Sequence, residues 1–300
     1  MPNSKITHRH YLIIEKIGEG QYPSKEDVIY YLLNYEIVVT DRVIEKDFEK
    51  IRNDYGIEIS YDNRKRGYWI NKEESIDIES FTRFLEIINT ADILTNSLKE
   101  SRETLKNISF DTSGGLKNIK LLQPLLKAVT QQIVITFDYN KFNNSNKQSY
   151  IIEPYILKEY QNRWYIVGVK KDIGKMRTFG IDRIEDLELT KEVFKPKNNI
   201  DPISNFNQTI GLVYSDGIKA QEVVLSFSPQ KGNYIKTLPL HFTQEILIDD
   251  DIEFRISLFV IPNNDLTELI LKYTSSIKVI EPKWLADEVK EKLKQALTQY

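Results

Sequence analysis

Two runs of basic and aromatic residues carry the strongest chemical signal in the chain. From Asn63 to Lys72 the sequence holds Arg64, Lys65, Arg66 and Lys72 with no acid among them. A strip of this kind suits contacts to phosphates, and it equally suits a solvated hairpin loop. Further on, Arg163-Trp-Tyr-Ile-Val-Gly-Val-Lys170 and Arg177-Thr-Phe-Gly-Ile-Asp-Arg183 set guanidinium groups beside aromatic rings. That mixture suits a polyanion with stackable bases, because Arg pairs phosphates bidentately and aromatic rings stack on bases. Strand alternation puts Arg163, Tyr165 and Val167 on one face, Trp164, Ile166 and Gly168 on the other, and groups Arg177, Phe179, Ile181 and Arg183. On a straight strand Arg177 and Arg183 would stand roughly 20 Å apart. One mononucleotide phosphate could then reach both only if the strand bends, whereas an oligonucleotide could span them. The bland alternative keeps Trp164 and Phe179 in a core and pairs the arginines with Asp182, Glu153 or Glu159.

Signatures of catalysis are missing. With no cysteine, disulfides, thiolate metal sites, Cys nucleophiles and iron–sulfur clusters are excluded. His8, His10 and His241 lack metal-ligand spacing with carboxylates. Gly18-Glu-Gly20 has no strand before it and no third glycine, so it reads as a turn. No phosphate-binding loop or nucleophile elbow is present. Asp249-Asp-Asp251 reads as a solvated turn before a strand. The expectation is a non-enzymatic protein with no catalytic residue, metal or cofactor. An enzyme acting on nucleotides with Asp182 or Tyr165 as acid or base, and a dimerisation scaffold, are the alternatives.

The elements that would position these residues divide a chain of 300 residues into two or more domains. Hydrophobic residues make up 41% and charged residues 28%, enough for an ordinary packed core. Net charge is −3, so no global charge advertises nucleic acid. Residues 139–183, however, carry nine basic and four acidic side chains, so the basic character is local. No signal peptide or membrane span is apparent, and the expected location is the cytoplasm.

Ser24 is a candidate helix cap with Asp27 at the third helical position, ahead of Val28, Ile29, Leu32 and Leu33. A second helix starts near Thr40 and puts Ile44, Phe48, Ile51 and Tyr55 on one face, leaving Arg42, Glu45, Lys46, Glu49 and Lys50 outside. Gly56 ends it, and 57–61 with 67–70 form a hairpin tipped by Asp62-Asn-Arg-Lys-Arg66. Helix, short helix, longer helix and basic hairpin is winged-helix order, with the last helix for the major groove and the hairpin for phosphates. The alternative use of such a fold, protein contact, is helped by Glu45 and Glu49. Helical spacing continues from Ile78 to Ile108, breaks at Ser109–Gly115, and resumes from Leu116 to Gln132, where Pro124 is tolerated only near a start or kink. Strand-like runs at 133–139, 149–157, 163–169, 176–181 and 186–189, with polar turns such as Asn143–Asn146, suggest a small β-barrel. After a linker at 195–202, the order strand, helix, two strands, helix, strand and a final helix from Lys283 is that of a ferredoxin-like sandwich. The fold class is therefore α+β: a winged helix-turn-helix over 1–75, a helical connector over 76–132, an Sm/SH3-like barrel over 133–200 and a ferredoxin-like extension over 201–300.

The run Glu153-Pro-Tyr-Ile-Leu-Lys-Glu-Tyr-Gln-Asn-Arg-Trp-Tyr-Ile-Val-Gly168, followed by Arg177-Thr-Phe-Gly-Ile-Asp-Arg-Ile184, strongly resembles the WYL domain. The Trp-Tyr-Leu triplet that names this domain is Trp164-Tyr165-Ile166 here. Thr40-Asp-Arg-Val-Ile-Glu-Lys-Asp-Phe48 with Arg66-Gly-Tyr-Trp-Ile70 resembles the winged helix that precedes WYL domains in bacterial transcriptional regulators, and the tail resembles their C-terminal extension. The resemblance implies a homodimeric sensor that binds operator DNA and whose barrel takes a nucleotide or single-stranded nucleic-acid effector. On this reading Thr40 and Arg42 approach base edges, while Lys46, Lys50, Arg64, Lys65 and Arg66 hold phosphates. Tyr139, Arg163, Tyr165, Arg177 and Arg183 face the ligand, with Pro154, Trp164 and Phe179 structural. The helical connector would be the lever between the two.

Overall fold

Reciprocal capping at Ser24 sets the first sharp element boundary. The Asp27 N–H donates to the Ser24 hydroxyl at 3.1 Å and the Ser24 N–H donates to the Asp27 carboxylate at 2.9 Å, opening the helix Lys25–Leu33. The structure, a computed structural model, describes residues 2–75, 78–100, 117–142, 147–215 and 217–300. It divides into two compact units, Met1–Asp111 and Thr112–Tyr300. The 109–115 break, the 101–108 end of the first helical stretch, Leu116 and the 143–146 turn lie outside the described residues.

In the first unit, α1 (Pro2–Gly18), α2 (Lys25–Leu33) and α3 (Asp41–Tyr55) precede a hairpin of β1 (Ile59–Asp62) and β2 (Gly67–Ile70), and α4 (Ile78–Glu100) follows. Ile13 and Ile17 of α1, Leu32 of α2, and Ile44 and Ile51 of α3 are buried together. Each such side chain contributes about 1.5–3 kcal/mol by leaving water. Gly56, at φ 66°, closes α3, whose apolar face is the one read from the sequence. Thr40 stands at the N-cap, but its side chain makes no capping hydrogen bond.

A polar residue shares that apolar face. Asp47 is 2% exposed and accepts from Arg9 Nε at 2.6 Å and Nη2 at 2.9 Å, with His10 Nε2 at 3.1 Å. The other His10 ring nitrogen lies 3.2 Å from the Tyr55 hydroxyl. His8 instead meets the Tyr35 ring edge-on, so the two histidines serve different contacts. Among the described residues, no group of three or more His, Asp or Glu is placed to hold a metal.

In the second unit, a 3₁₀ turn (Ile119–Leu121) leads into α5 (Leu122–Thr130), with Pro124 in its first turn as its missing N–H requires. There follow β3 (Ile133–Tyr139), β4 (Gln148–Tyr160), β5 (Arg163–Lys170), β6 (Lys175–Gly180) and β7 (Ile184–Val193), an antiparallel sheet in the order β6-β5-β4-β3-β7. The expected barrel is not closed: among the described residues no ladder joins β6 to β7. A 3₁₀ turn, Ile181–Arg183, ends β6 and redirects the chain so that β7 pairs with β3. The Gly180 N–H donates to the Tyr139 hydroxyl at 3.1 Å, so a side chain rather than a ladder ties the end of β6 to β3. One face of the sheet packs Phe137, Ile152 and Ile166 with Leu125 and Ala128 of α5. The opposite face packs Val167, Val169 and Met176 with Phe206.

Phe206 belongs to α6 (Pro202–Asn207), a short helix that starts where the expected linker ends, capped by the Asp201 carboxylate accepting from the Ser204 N–H at 3.0 Å. The remaining elements are β8 (Gln221–Phe227), α7 (Pro229–Thr237), β9 (Glu245–Asp249), β10 (Phe254–Val260), α8 (Asn264–Tyr273), β11 (Ile277–Glu281) and α9 (Lys283–Leu297). The sheet order is β11-β8-β10-β9, all antiparallel, so each of α7 and α8 crosses over one intervening strand. Asp250 accepts from the Ile252 and Glu253 N–H groups, both at 2.8 Å, which accounts for the acidic run as a turn. Among the described residues, no helix is long and apolar enough to cross a membrane.

Candidate nucleic-acid and anion sites

The first unit presents its cations on α3 and the hairpin tip. Thr40, Arg42, Lys46 and Lys50 are exposed, and so are Arg64, Lys65 and Arg66. The tip is shaped by Asp62, whose carboxylate accepts from the Arg64 N–H at 2.8 Å and the Lys65 N–H at 3.0 Å. These two bonds hold Asp62 below the usual carboxylate range. Lys65 Nζ lies 3.8 Å from the centre of the Tyr22 ring, a cation–π contact that pins this side chain to the neighbouring turn. Among the described residues no ion pair engages Arg42, Lys46, Lys50, Arg64 or Arg66. Glu45, one of the two acids on the outer face of α3, is bonded to Lys25 at 2.6 Å.

The base of the hairpin is fixed by close backbone approach. The Tyr68 N–H donates to the Pro23 carbonyl at 2.9 Å, and a Cβ on Gly67 would fall 1.7 Å from the Tyr22 carbonyl oxygen. Only glycine fits there. Tyr68 packs on Phe48 of α3 at 4.8 Å and on Tyr61 at 5.0 Å, so the hairpin and α3 are carried as one piece. From behind, Asp47 binds α3 to α1. Burial raises its pKa, but the bonds from His10 and Arg9 outweigh that and hold the carboxyl below its ordinary value.

In the second unit a shallow hollow of about 450 Å³ lies over the sheet, lined by Tyr139, Tyr150, Phe179, Lys141, Lys170, Arg177 and Arg183 among others. Arg177 and Arg183 share this hollow, because the chain bends at the 3₁₀ turn after Gly180 and does not run straight. The Arg183 guanidinium lies 4.8 Å from the Tyr139 ring and 4.3 Å from the Phe142 ring, and its Nε is buried without a hydrogen-bond partner. An orphan donor of this kind costs about 1–3 kcal/mol until an acceptor arrives. Arg177 Nη1 donates to the Met176 carbonyl at 2.8 Å. Lys170 stands 5.0 Å from the Tyr150 ring and is bonded to Asp172 at 2.8 Å. Tyr139, Tyr150 and Phe179 pack edge-to-face at 4.9–6.0 Å and form a floor rather than free stacking surfaces. Phe142, 80% exposed, is the ring with a free face. Burial raises the Tyr139 pKa, partly offset by the bond from the Gly180 N–H and by Arg183, so the phenol stays protonated at neutral pH.

The other two expected ligand residues lie outside that lining. Arg163 Nη1 is 4.0 Å from the Asp182 carboxylate, which is the ion-pair alternative open from the sequence. Tyr165 is half-buried, and burial raises its pKa. Lys141, Tyr150 and Lys170, by contrast, line the hollow from the turn after β3, from β4 and from the end of β5 respectively, positions that no single-strand pattern groups together.

A helical, hairpin-bearing unit with exposed cations and a second unit whose antiparallel sheet bears a cation-rimmed hollow define an α+β protein. Residues 120–189 match the WYL domain and residues 219–297 match the WCX domain. The chain thus carries a WYL domain followed by a WCX domain. Among solved structures it is similar to proteasome accessory factor B/C (PafBC) of Arthrobacter aurescens, at 15% identity and a TM-score of 0.31 over 96% of this chain and 46% of that one. This chain therefore spans about half the length of PafBC. It is also similar to a CRISPR Cas-related protein, at 12% identity and a TM-score of 0.39 over 98% of this chain and 84% of that one. None of the curated proteins matches.

Proposed function

We propose that the chain is a ligand-responsive, DNA-binding transcriptional regulator of bacteria, acting as a cytoplasmic homodimer. Residues 1–75 act as a winged helix-turn-helix, with Thr40 and Arg42 at base edges and Lys46, Lys50, Arg64, Lys65 and Arg66 on phosphates. Residues 133–200 act as a small Sm/SH3-like domain that senses a nucleotide or oligonucleotide-type anion, and residues 201–300 as a ferredoxin-like extension. The observation that carries this reading is the meeting of Lys141, Lys170, Arg177 and Arg183 over one aromatic floor, with a buried Arg183 donor left for a ligand. Tyr139 shapes the floor, and Phe142 offers a ring to a base. The bend after Gly180 supports a ligand compact enough to meet both arginines.

Occupancy shifts the regulator between DNA-competent and incompetent states only as far as the ligand binds the two states differently. The test is fluorescence anisotropy with duplex from upstream of the protein's own gene against a scrambled duplex, with and without the 5′-phosphorylated thymidine tetranucleotide. Selective binding that changes on adding the tetranucleotide, with the tetranucleotide recovered intact by mass analysis, is expected. Equal binding to both duplexes would contradict the regulator, and turnover of the tetranucleotide would favour the enzyme.

A further inference from the structure

β6 works on two surfaces at once. Arg177 and Phe179, with Thr178 between them, line the anion hollow. On the opposite face Met176 packs with Phe206 and Tyr214 of the 201–215 segment, and the Thr178 hydroxyl donates to the Leu212 carbonyl at 3.1 Å. That segment is in turn held to the C-terminal sandwich by a dense set of hydrogen bonds. The Ile261 N–H donates to the Gln208 carbonyl at 2.6 Å, and the Asn263 side chain to the Ile210 carbonyl at 2.9 Å. The Leu212 and Val213 N–H groups both donate to one Asp265 oxygen, at 2.6 and 3.2 Å. Asp265 lies in the first turn of α8, and its carboxylate sits so close to Gly211 that a Cβ there would be 2.1 Å away. Gly211, at φ 92°, is needed for that approach. Residues 208–213 therefore belong mechanically to the sandwich, and the Thr178 hydroxyl is a hydrogen-bonded joint between β6 and that piece.

We propose that Thr178 is a positioning residue that couples the strand bearing Arg177 to the sandwich, so that anion binding in the hollow is passed through Leu212 and Asp265 to α8. This rests on the hollow being an anion site. A ligand that draws Arg177 toward itself moves β6, and a bonded joint transmits that displacement where sliding apolar contacts would absorb it. The path is short: one side-chain hydroxyl, one peptide group and one carboxylate.

Amide hydrogen exchange of the full chain, read by mass spectrometry, tests the joint with and without the probe, the 5′-phosphorylated thymidine tetranucleotide. In the free protein, Asp265→Ala is expected to speed exchange several-fold at 212–213 and also in 175–180. In the Thr178→Val background the acceleration is confined to 212–213, and Thr178→Ser restores its spread. With the probe bound, 212–213 exchange is expected to slow about threefold in the wild type and in Thr178→Ser, and to stay unchanged in Thr178→Val. Acceleration that stops at 212–213 in the wild-type background overturns the joint, as does equal probe-induced protection with and without the hydroxyl. Failure of the probe to bind, with the free-protein spread intact, leaves the joint standing and overturns the anion-site reading alone.

Discussion

The two cation-bearing regions hold their charges in different ways. On α3 and the hairpin tip, the basic side chains stand in water, and the positioning is done from behind, by Asp47 and by the Tyr68–Phe48 contact. In the hollow, Lys141, Lys170 and Arg183 lie against rings, and Arg183 holds a nitrogen out of water. Solvated charges spread over a convex surface suit a long polyanion, with affinity that falls steeply with salt. Partly desolvated charges gathered in a concavity suit a compact anion, with less screening. The lesson is that the count of basic residues matters less than how each is held.

The largest effect should come from the support behind the exposed face. Asp47→Ala leaves Arg9 and His10 facing a vacated site and should lower unfolding stability of the first unit by about 3 kcal/mol. Chemical denaturation followed by a probe in each unit checks it, with the second unit unaffected. Next, Arg183→Ala removes the orphan donor and its ring contacts and should weaken tetranucleotide binding by about 10- to 100-fold, leaving DNA binding without ligand intact. Titration calorimetry reads this directly.

A smaller effect distinguishes the regions by pH. Because the folded Asp47 carboxyl lies below its unfolded value, the stability it contributes is present above the ordinary carboxylate range and fades as pH falls through the folded value. Asp47→Asn should therefore flatten the acid limb of the stability curve, seen as a smaller loss of melting temperature between neutral pH and the carboxylate range. The smallest effect is expected at Arg163→Ala, less than about twofold on tetranucleotide affinity, since Arg163 faces Asp182 and does not line the hollow. A larger loss there would move the anion site along β5.

Much of this is legible in the amino-acid sequence. The apolar stripe Ile44, Phe48, Ile51 and the cap at Ser24 are local signals, and the structure keeps both. The strands that flank Arg163 and Arg177 were also local. What escaped depended on long-range partners. Asp47 lies on the same helical stripe as Ile44 and Ile51, a polar residue at an apolar position, and that was the available sign of a buried ion pair with α1. The sequence does not delimit α1, since its residues show no capping pattern and its packing is settled by α2 and α3. The 3₁₀ turn after Gly180 breaks the strand alternation before Arg183, and Lys141 and Lys170 reach the hollow from the turn after β3 and the end of β5. The Thr40 hydroxyl makes no capping hydrogen bond and stands at the N-terminal end of α3.

The most direct test of the account is the salt dependence of duplex binding for the wild type and for Arg64→Ala/Arg66→Ala. The account predicts that the logarithm of the association constant falls linearly with the logarithm of salt concentration, and that the double variant loses about 1.8 units of that slope. It also predicts unchanged tetranucleotide binding. An unaltered slope would contradict the hairpin tip as the phosphate-binding element.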